Sequence, residues 1–388
     1  MYNIEKNKIT HREAYMLKIL HCGDLHLDSP FSGLTHELSE VRRRELRDTF
    51  TYMMNYVQTE NIDLVLIAGD LFDCGFVHRD TLALLCARFS SLACPVIISP
   101  GNHDPYTPGS LYAGGKLPEN VHVFSTKEPT RIDLPALDVS VTGYAFTSDR
   151  YEENPLDMPC PLHPKHINIL LGHADLGVPL SKYAPLPLKS LEHSGFAYAA
   201  LGHVHNPPKA IRIGKTTAAY CGVAEGRGFD EPGFGGARLV SIERTDHGID
   251  VNTKRLVFSR RRYMIEQIEV DGAERDDDVA QKIEERITLQ GYGQETALRV
   301  ILQGAVALNY TPDTAALAER CRGERYLLEI RDMTTPVFDA AYLREDKTVR
   351  GELYRALEEK LGSADERERK TAALALQYGL NALDGNLN

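Results

Sequence analysis

Five short apolar runs in this chain end at a glycine, and a metal-binding side chain follows each glycine at once. Short runs of β-branched and aliphatic residues predict buried strands. The clearest run covers residues 62–67 and leads through Ala68 and Gly69 to Asp70. A Gly-Asp pair after a single strand is often only a turn. Because ligands gather at the carboxyl ends of strands in α/β sheets, the repetition predicts one site at one sheet edge.

Two predicted helices separate the first three strands. The first helix carries Leu46, Phe50, Met53 and Val57 on one face at 4-3-4 spacing, which is typical of a buried helical face. The order strand-helix-strand-helix-strand predicts right-handed crossovers and a largely parallel core, so the fold class is α/β. We predict helices at about residues 37–58 and 80–92, and further strands at 121–124, 139–141, 167–171, 196–201, 218–223 and 237–242.

The length of 388 residues predicts two or three domains, because a single core rarely grows this large. No histidine follows residue 258, and the pattern there changes to a small β-α-β-α-β unit with two amphipathic helices at about 347–361 and 366–384. Met16 stands directly before the first strand. We predict an N-terminal extension at 1–16, a metal-binding domain at 17–258, an α/β domain at 259–343 and a C-terminal helical segment at 344–388.

The net charge of −11 excludes a generally basic protein that coats nucleic acid, although it does not exclude a nuclease with a carboxylate-rich metal site. We interpret the arginine clusters at 42–44 and 260–262 as solvated surface charge. The seven cysteines are scattered without a Cys-x-x-Cys pair, which is typical of reduced thiols in a cytoplasm. The sequence contains no signal-peptide pattern and no apolar run that could span a bilayer.

The strand-end loops offer eight groups that bind metals or transfer protons. Imidazoles, carboxylates and one amide suit Mn²⁺, Fe²⁺ or Zn²⁺ better than Ca²⁺, and the lack of cysteine disfavours a structural zinc site. Eight groups are too many for one ion, and a two-metal centre needs a bridging carboxylate, for which Asp70 is the natural candidate. The eight groups are Asp24, His26, Asp70, Asn102, His103, His173, His203 and His205.

These residues resemble the five motifs of the calcineurin-like metallophosphoesterases. The motifs are Asp24-x-His26, Gly69-Asp70, Gly101-Asn102-His103-Asp104, Gly172-His173 and Gly202-His203-x-His205. Residues 24–31 and 69–73 further resemble the DNA-repair exonuclease branch, which includes SbcD-like nucleases and, as the nearer likeness, YhaO-type exonucleases. The resemblance implies a four-layer αββα sandwich with a small α/β capping domain at 259–343 and C-terminal helices.

The resemblance also implies a role for each group. Asp24, His26, Asp70 and His205 would bind the first metal, and Asp70, Asn102, His173 and His203 the second. His103 would stabilise or protonate the leaving oxygen, and Asp104 would orient His103. The implied reaction is in-line attack of an activated water on a phosphodiester. Asp73 stands where some relatives carry a second histidine, and we expect the nearby His78 to lie on the surface.

The resulting prediction is a Mn²⁺-dependent DNA exonuclease or endonuclease that acts in DNA repair, with a homodimer possible. Relatives dock an SbcC-like coiled-coil ATPase through C-terminal helices, and the stripe Val349, Leu353, Leu357 and Leu361 would fit such docking. Packing of the stripe on the protein's own body is an equally open interpretation. The alternative functions are a phosphatase or phosphodiesterase for nucleotides or small molecules, and a binding scaffold without catalysis.

Overall fold

The computed structural model describes residues 16–73, 77–114, 117–308 and 310–383. Residues 1–15 of the extension predicted at 1–16 therefore lie outside the described residues. The chain forms two compact units. The first comprises the residues up to Arg227 together with Phe234–Arg260, and the second comprises Gly228–Gly233 and the residues from Arg261 onward. The division of the second part at residue 343 stays a prediction.

The first unit contains most of the strands. Its helices are α1 (His36–Thr59), α2 (Arg79–Ser90), α3 (Leu111–Gly114) and α4 (Leu188–Glu192). Its strands are β1 (Leu17–Cys22), β2 (Leu64–Ile67), β3 (Val96–Ile98), β4 (Val121–Val123), β5 (Thr130–Leu134), β6 (Val139–Gly143), β7 (Ile167–His173), β8 (Asp175–Leu176), β9 (Pro185–Leu186), β10 (Tyr198–Gly202), β11 (Ile211–Ile213), β12 (Thr216–Tyr220), β13 (Gly233–Thr245) and β14 (Gly248–Glu269), within which the unit boundary falls.

Two sheets form the centre of this unit. In the first sheet the order is β13-β1-β2-β3-β4, with β1 to β4 parallel and β13 antiparallel to β1. In the second sheet the order is β11-β12-β10-β7-β6-β5, with four parallel central strands and an antiparallel strand at each edge. The carboxyl ends of parallel strands lie together, which brings the predicted site loops to one edge.

Three apolar cores hold the layers of this unit together. The core between the sheets includes Ile19 and Leu66 of the first sheet and Ile169 of the second, all fully buried. The outer face of the first sheet packs on α1 and α2, and the outer face of the second packs on α4 and loops. In α1 the predicted buried face is confirmed, and Thr35 begins the helix by accepting a hydrogen bond from the backbone of Leu38. The architecture is the expected four-layer αββα sandwich.

The second unit is a small α/β layer followed by helices. Three parallel strands, the end of β14 with β15 and β17, pack on α5 and α6. The left-handed Gly291 ends α5, as is usual for a glycine at this position. The elements are β15 (Thr296–Gln303), β16 (Ala305–Val306), β17 (Leu327–Asp332), β18 (Thr335–Pro336), α5 (Asp276–Gln290), α6 (Thr314–Arg322), α7 (Ala340–Glu345), α8 (Val349–Leu361) and α9 (Glu366–Leu383).

The predicted apolar stripe on α8 packs mostly on the protein itself. Leu353, Leu357 and Leu361 lie against a core that contains the buried Leu376 of α9, and Val349 remains 66% exposed. Packing within the chain is therefore the interpretation that the structure supports for three of the four stripe residues. The stripe is not a continuous exposed surface for a partner.

The arginine clusters are only in part the solvated surface that we expected from the sequence. Arg42 is completely buried in α1, and Arg261 lies over the ring of Tyr326. Arg260 does remain exposed, where it pairs with Asp48. The sequence pattern fails for Arg42 because a buried guanidinium needs polar partners, and besides the nearby Glu45 these include Glu225 and the Gly226 carbonyl, which are distant along the chain.

Two sequence expectations concern thiols and membranes. The six described cysteines are free thiols: Cys22, Cys86, Cys94, Cys160, Cys221 and Cys321. Among the described helices, none combines the length and the apolar character that a membrane crossing requires.

Candidate metal centre

The loop after β1 places Asp24 and His26 at the carboxyl edge of both sheets. Both residues have a left-handed backbone with φ of 46°. The backbone N–H of Asp24 donates to the Gly69 carbonyl at 3.0 Å, and that of His26 donates to the Asp70 carbonyl at 2.9 Å. Because left-handed backbone is unfavourable for such residues, these bonds stabilise a turn that the two side chains need to reach the site.

Two motif glycines leave space for the ligands themselves. A Cβ atom at Gly101 would overlap the carboxylate of Asp70, and a Cβ atom at Gly69 would overlap the ring of His173. Gly69 also has a φ of +84°, which other residues rarely adopt. These glycines are therefore required for the close approach of ligands from different loops.

The first cluster of donor atoms contains Asp24, His26, Asp70 and His205, whose candidate ligand atoms lie within 4.8 Å of one another. The Nε2 atoms of His26 and His205 are 3.1 Å apart, and Nε2 of His26 is 3.8 Å from Oδ2 of Asp70. Two imidazole nitrogens and carboxylates that converge in this way form a donor set suited to a divalent transition metal.

The second cluster forms around His173. Its Nε2 atom is 3.0 Å from Oδ1 of Asn102, 3.2 Å from Nδ1 of His203 and 3.3 Å from Oδ2 of Asp70. The same Asp70 oxygen therefore faces both clusters, which is the position that a bridging carboxylate occupies. The structure thus brings together all seven residues that we predicted as metal ligands.

The atoms behind the ligands fix their orientation. Nδ1 of the fully buried His173 lies 2.9 Å from the Ala68 carbonyl oxygen, which leaves Nε2 for the cluster. Burial opposes the charge on His173, but Asp70 raises its pKa to about 9. Burial also acts against the Asp70 carboxylate, but His173, His26 and His103 hold its pKa below the usual range. Such a buried set of acids and imidazoles fits a site for cations, whose charge would take the place of these protons.

Divalent ions in these clusters would supply a nucleophile from water and stabilise negative charge on a phosphoryl group. The seven ligands would hold them, and His103 lies beside the clusters without belonging to either. Its side chain is 43% exposed, so it is accessible to a substrate.

Asp73, which the sequence left unexplained, is the partner of His103. Its Oδ1 atom is 3.0 Å from Nδ1 of His103 and 3.0 Å from Nδ1 of His26, and its Oδ2 atom accepts a hydrogen bond from Ser29 at 2.5 Å. The bond from Asp73 raises the pKa of His103, although burial opposes it. One carboxylate therefore orients both a candidate ligand and the candidate acid.

Asp104 does not have the orienting role that we predicted. Its carboxylate accepts hydrogen bonds from Tyr112 and from the backbone N–H groups of Asp70, Leu71, Phe72 and Gly101. These bonds join the loops that follow β2 and β3. The correction has a simple cause, since Asp104 is fully committed to backbone donors whereas Asp73 faces the imidazole.

Two further positions complete the account of the site. His78 is exposed at the start of α2, as expected, and its backbone N–H donates to Oδ2 of Asp28 at 2.8 Å. Arg227, which sequence reasoning missed, lies with Nη1 3.4 Å from Oδ2 of Asp73. No motif in the sequence marks Arg227, because its place depends on the fold of a loop far along the chain.

The fold and the two clusters define the class of protein. Residues 17–207 match the family model of the calcineurin-like phosphoesterases, so this part of the chain is a calcineurin-like metallophosphoesterase domain. The chain is 29% identical over 309 residues to a protein of Bacillus subtilis named uncharacterized metallophosphoesterase YhaO. The match covers 74% of this chain and 72% of that protein.

Two nuclease relatives match shorter parts of the chain. The SbcD component of the nuclease SbcCD of Staphylococcus epidermidis is 28% identical, and the match covers 49% of this chain and 57% of that protein. The DNA double-strand break repair protein Mre11 of Saccharolobus solfataricus is 27% identical, with 49% of this chain and 50% of that protein covered. The chain thus spans only about half of the length of these two relatives.

Proposed function

We propose that this protein is a two-metal phosphodiesterase that cleaves DNA, as an exonuclease or endonuclease in DNA repair. The observation that carries the proposal is the pair of donor clusters that share Asp70, with the accessible His103 beside them. A shared carboxylate is the arrangement that a two-metal hydrolytic centre requires.

Each protein group has a proposed task in this reaction. Asp24, His26 and His205 would hold the first ion, Asn102, His173 and His203 would hold the second, and Asp70 would serve both. His103 donates a proton to the leaving oxygen, which stabilises the charge that develops there. Asp73 holds His103 in the donating orientation, and its hydrogen bond raises the pKa of the imidazole, which favours the protonated form.

The choice of DNA as the substrate rests on the relatives. Two of them carry nuclease or DNA-repair names. Mn²⁺ is the proposed metal because the site mixes imidazole, carboxylate and amide donors without cysteine. We also propose a cytoplasmic location, on the free cysteines, and an SbcC-like ATPase as a partner. Because three stripe residues are packed, that partner would contact other parts of the C-terminal helices.

The test compares three substrates with the Mn²⁺-loaded full-length protein. End-labelled duplex DNA, a nucleoside 5′-monophosphate and a cyclic nucleotide are incubated at equal phosphate concentration, and the products are separated by electrophoresis or chromatography. We expect cleavage of DNA and slow hydrolysis of the two nucleotides. Asp70→Ala should lose more than about 100-fold of the DNA activity, because removal of a group that only supports a ligand already costs about 10–100-fold.

The outcomes separate the alternatives. Rapid hydrolysis of nucleotides with intact DNA would replace the nuclease proposal by a nucleotide phosphoesterase that uses the same site. Hydrolysis of none of the three substrates, with normal Mn²⁺ binding in calorimetry, would favour a binding scaffold. Asp149→Asn, which changes a carboxylate that is 82% exposed, is the matched control and should retain full activity.

A further inference from the structure

Arg227 lies at the margin of the metal centre, and we propose that its guanidinium binds a phosphate oxygen of the substrate beside His103. The inference rests on the proposed phosphodiesterase function and adds a substrate-binding residue to it. Nη1 of Arg227 is 3.4 Å from Oδ2 of Asp73, and the other oxygen of Asp73 is 3.0 Å from the His103 ring. A single carboxylate therefore separates the guanidinium from the proposed acid.

The contact between Arg227 and Asp73 is long for an ion pair. Charge-assisted N–H···O bonds are about 2.7–2.9 Å long, which is shorter than the 3.4 Å found here. The Asp73 carboxylate also has partners in His26, His103 and Ser29. The Asp73 carboxylate is thus shared among several donors, and a phosphate could compete with it for the guanidinium.

The chemistry of the reaction favours a further cation at this place. A phosphodiester is an anion that gains negative charge towards its transition state, and the site around it contains the carboxylates of Asp24, Asp70 and Asp73. A guanidinium presents its donors as a planar fork that matches two phosphate oxygens. The Arg227 side chain is 19% exposed, so it is largely desolvated and yet reaches the solvent from which a substrate arrives.

A buried ionic network fixes the backbone next to Arg227. Arg42 of α1 is completely buried, and its Nη2 donates to the carbonyl of Gly226 at 2.6 Å. Arg42 also forms an ion pair with Glu45 and lies 3.7 Å from Oε1 of Glu225. The network therefore attaches the residues before Arg227 to the long first helix.

Glu225 completes the network. Its Oε2 atom accepts a hydrogen bond from Thr49 at 2.8 Å and from the backbone N–H of Arg260 at 2.6 Å. Buried ion pairs of this kind contribute little net stability, because desolvation of the charges offsets their attraction. They do define a single geometry, which is what a substrate-binding loop requires.

The test uses bis(p-nitrophenyl) phosphate and inorganic phosphate with the Mn²⁺-loaded full-length protein. p-Nitrophenolate leaves without a proton, so the assay does not depend on His103. We expect Arg227→Gln to raise both the KM and the inhibition constant of inorganic phosphate about 10–100-fold, since a charge-assisted contact is lost. Arg227→Lys keeps the charge without the fork, so both constants should lie between those of the wild type and those of Arg227→Gln. Arg150→Gln, at a side chain that is 57% exposed, is the matched control and should equal the wild type.

A purely structural role gives a different result. If Arg227→Gln leaves the phosphate inhibition constant unchanged and slows only substrates whose leaving oxygen needs a proton, Arg227 acts through Asp73 and the proposal is wrong. Calorimetry with Mn²⁺ and urea denaturation check that the variant is folded and binds metal. If Arg227→Gln does not fold, the Arg227→Lys variant tests the proposal instead. An inhibition constant of inorganic phosphate equal to that of the wild type in Arg227→Lys would contradict the fork-like contact.

A second variant tests the network independently. Thr49→Val removes one hydrogen bond from Glu225 without touching the metal centre, and we expect a several-fold weaker inhibition by phosphate with wild-type Mn²⁺ affinity. Wild-type inhibition would contradict the role of the network. Because none of these assays contains DNA, an Arg227-dependent phosphate site would stand even if the nuclease proposal failed.

Discussion

At the scale of single residues, Asp73 decides how the candidate site works. The same carboxylate oxygen faces the Nδ1 atoms of His26 and His103, so a candidate metal ligand and the proposed acid share one orienting group. A change at Asp73 should therefore affect metal binding and proton transfer together. A change at His103 should affect proton transfer alone.

Asp73→Asn keeps the shape of the side chain and removes its charge. Because the bond from Asp73 raises the pKa of His103, the variant imidazole should lose its proton at a lower pH. A group that acts as an acid loses activity as the pH rises through its pKa, so the alkaline limb of kcat for DNA cleavage should move to lower pH. We expect about a tenfold lower kcat at pH 8, measured in a pH–rate profile with Mn²⁺. An alkaline limb in the wild-type position would contradict the role of Asp73.

His21 offers a test of acid sensitivity away from the metal ligands. It is fully buried in β1, with Nδ1 2.8 Å from the hydroxyl of Tyr198. Burial, assisted by the charge of Arg238, lowers its pKa to about 3. The folded protein thus binds fewer protons than the unfolded chain between about pH 3 and 6.5, and stability is lost as the pH falls through this range.

Because His21 takes up a proton mainly in the unfolded chain, we expect the free energy of unfolding to fall by about 2 kcal/mol when the pH is lowered from 7 to 5. Urea denaturation of the metal-free protein at the two pH values measures the effect. In His21→Gln, which has no titrating group, the difference between the two pH values should be smaller by that amount. Equal differences in the two proteins would show that His21 is not the group responsible.

At the scale of elements, the site depends on how the loops after the strands are tied together. The Asp104 carboxylate accepts hydrogen bonds from backbone N–H groups of two loops, the one after β2 and the one after β3. Asp70 lies in one of these loops and Asn102 in the other. The position of both candidate ligands therefore depends on a residue that is itself neither a candidate ligand nor the candidate acid.

Asp104→Asn replaces one acceptor oxygen by an NH₂ group that faces backbone donors. A buried donor left without a partner costs about 1–3 kcal/mol, so the metal-free variant should unfold at lower urea concentration. We also expect its Mn²⁺ affinity to fall about 10–100-fold in calorimetry, because the ligand loops lose their common support. Stability and Mn²⁺ affinity equal to those of the exposed control Asp149→Asn would contradict this role.

The sequence predicts those helices and strands whose own residues form an apolar run or a periodic apolar face. The helices predicted at about 37–58 and 80–92 agree with α1 and α2 within two residues. The strands β5 and β11 were missed because they are edge strands, half exposed, which form when a neighbour supplies hydrogen bonds. Their own sequences contain no buried run.

The same distinction holds for the candidate site. Strand ends predict where ligands gather, so the seven proposed metal ligands could be read from local motifs. Asp73 and Arg227 could not, because their roles come from contacts between distant loops. Arg42 and Gly226, whose bond fixes the loop of Arg227, are 184 positions apart in the chain.

At the scale of the whole molecule, each unit has a core of its own. The proposed ligands all belong to the first unit, whereas Leu376 lies fully buried among the helices of the second. Leu376→Ala should cost about 2–5 kcal/mol in the second unit, as for other buried leucines. Hydrogen exchange should therefore become faster in α8 and α9, while the Mn²⁺ affinity measured by calorimetry should stay unchanged.

Leu374→Ala is the matched control, because Leu374 lies on the same helix and is 45% exposed. We expect a loss of less than about 1 kcal/mol and wild-type hydrogen exchange in α8. A reduced Mn²⁺ affinity in Leu376→Ala would show that the second unit supports the metal centre, contrary to this prediction.

The origin of the ligands has a consequence for the life of the protein in a cell. Asp24, His26, Asp70 and Asn102 follow strands of one sheet. In the other sheet His173 ends β7, and His203 and His205 follow β10. Bound ions would thus act as a cross-link between the sheets at their open edge. Chelation should loosen that edge and expose its loops to proteases, so metal supply would control the turnover of the protein as well as its activity.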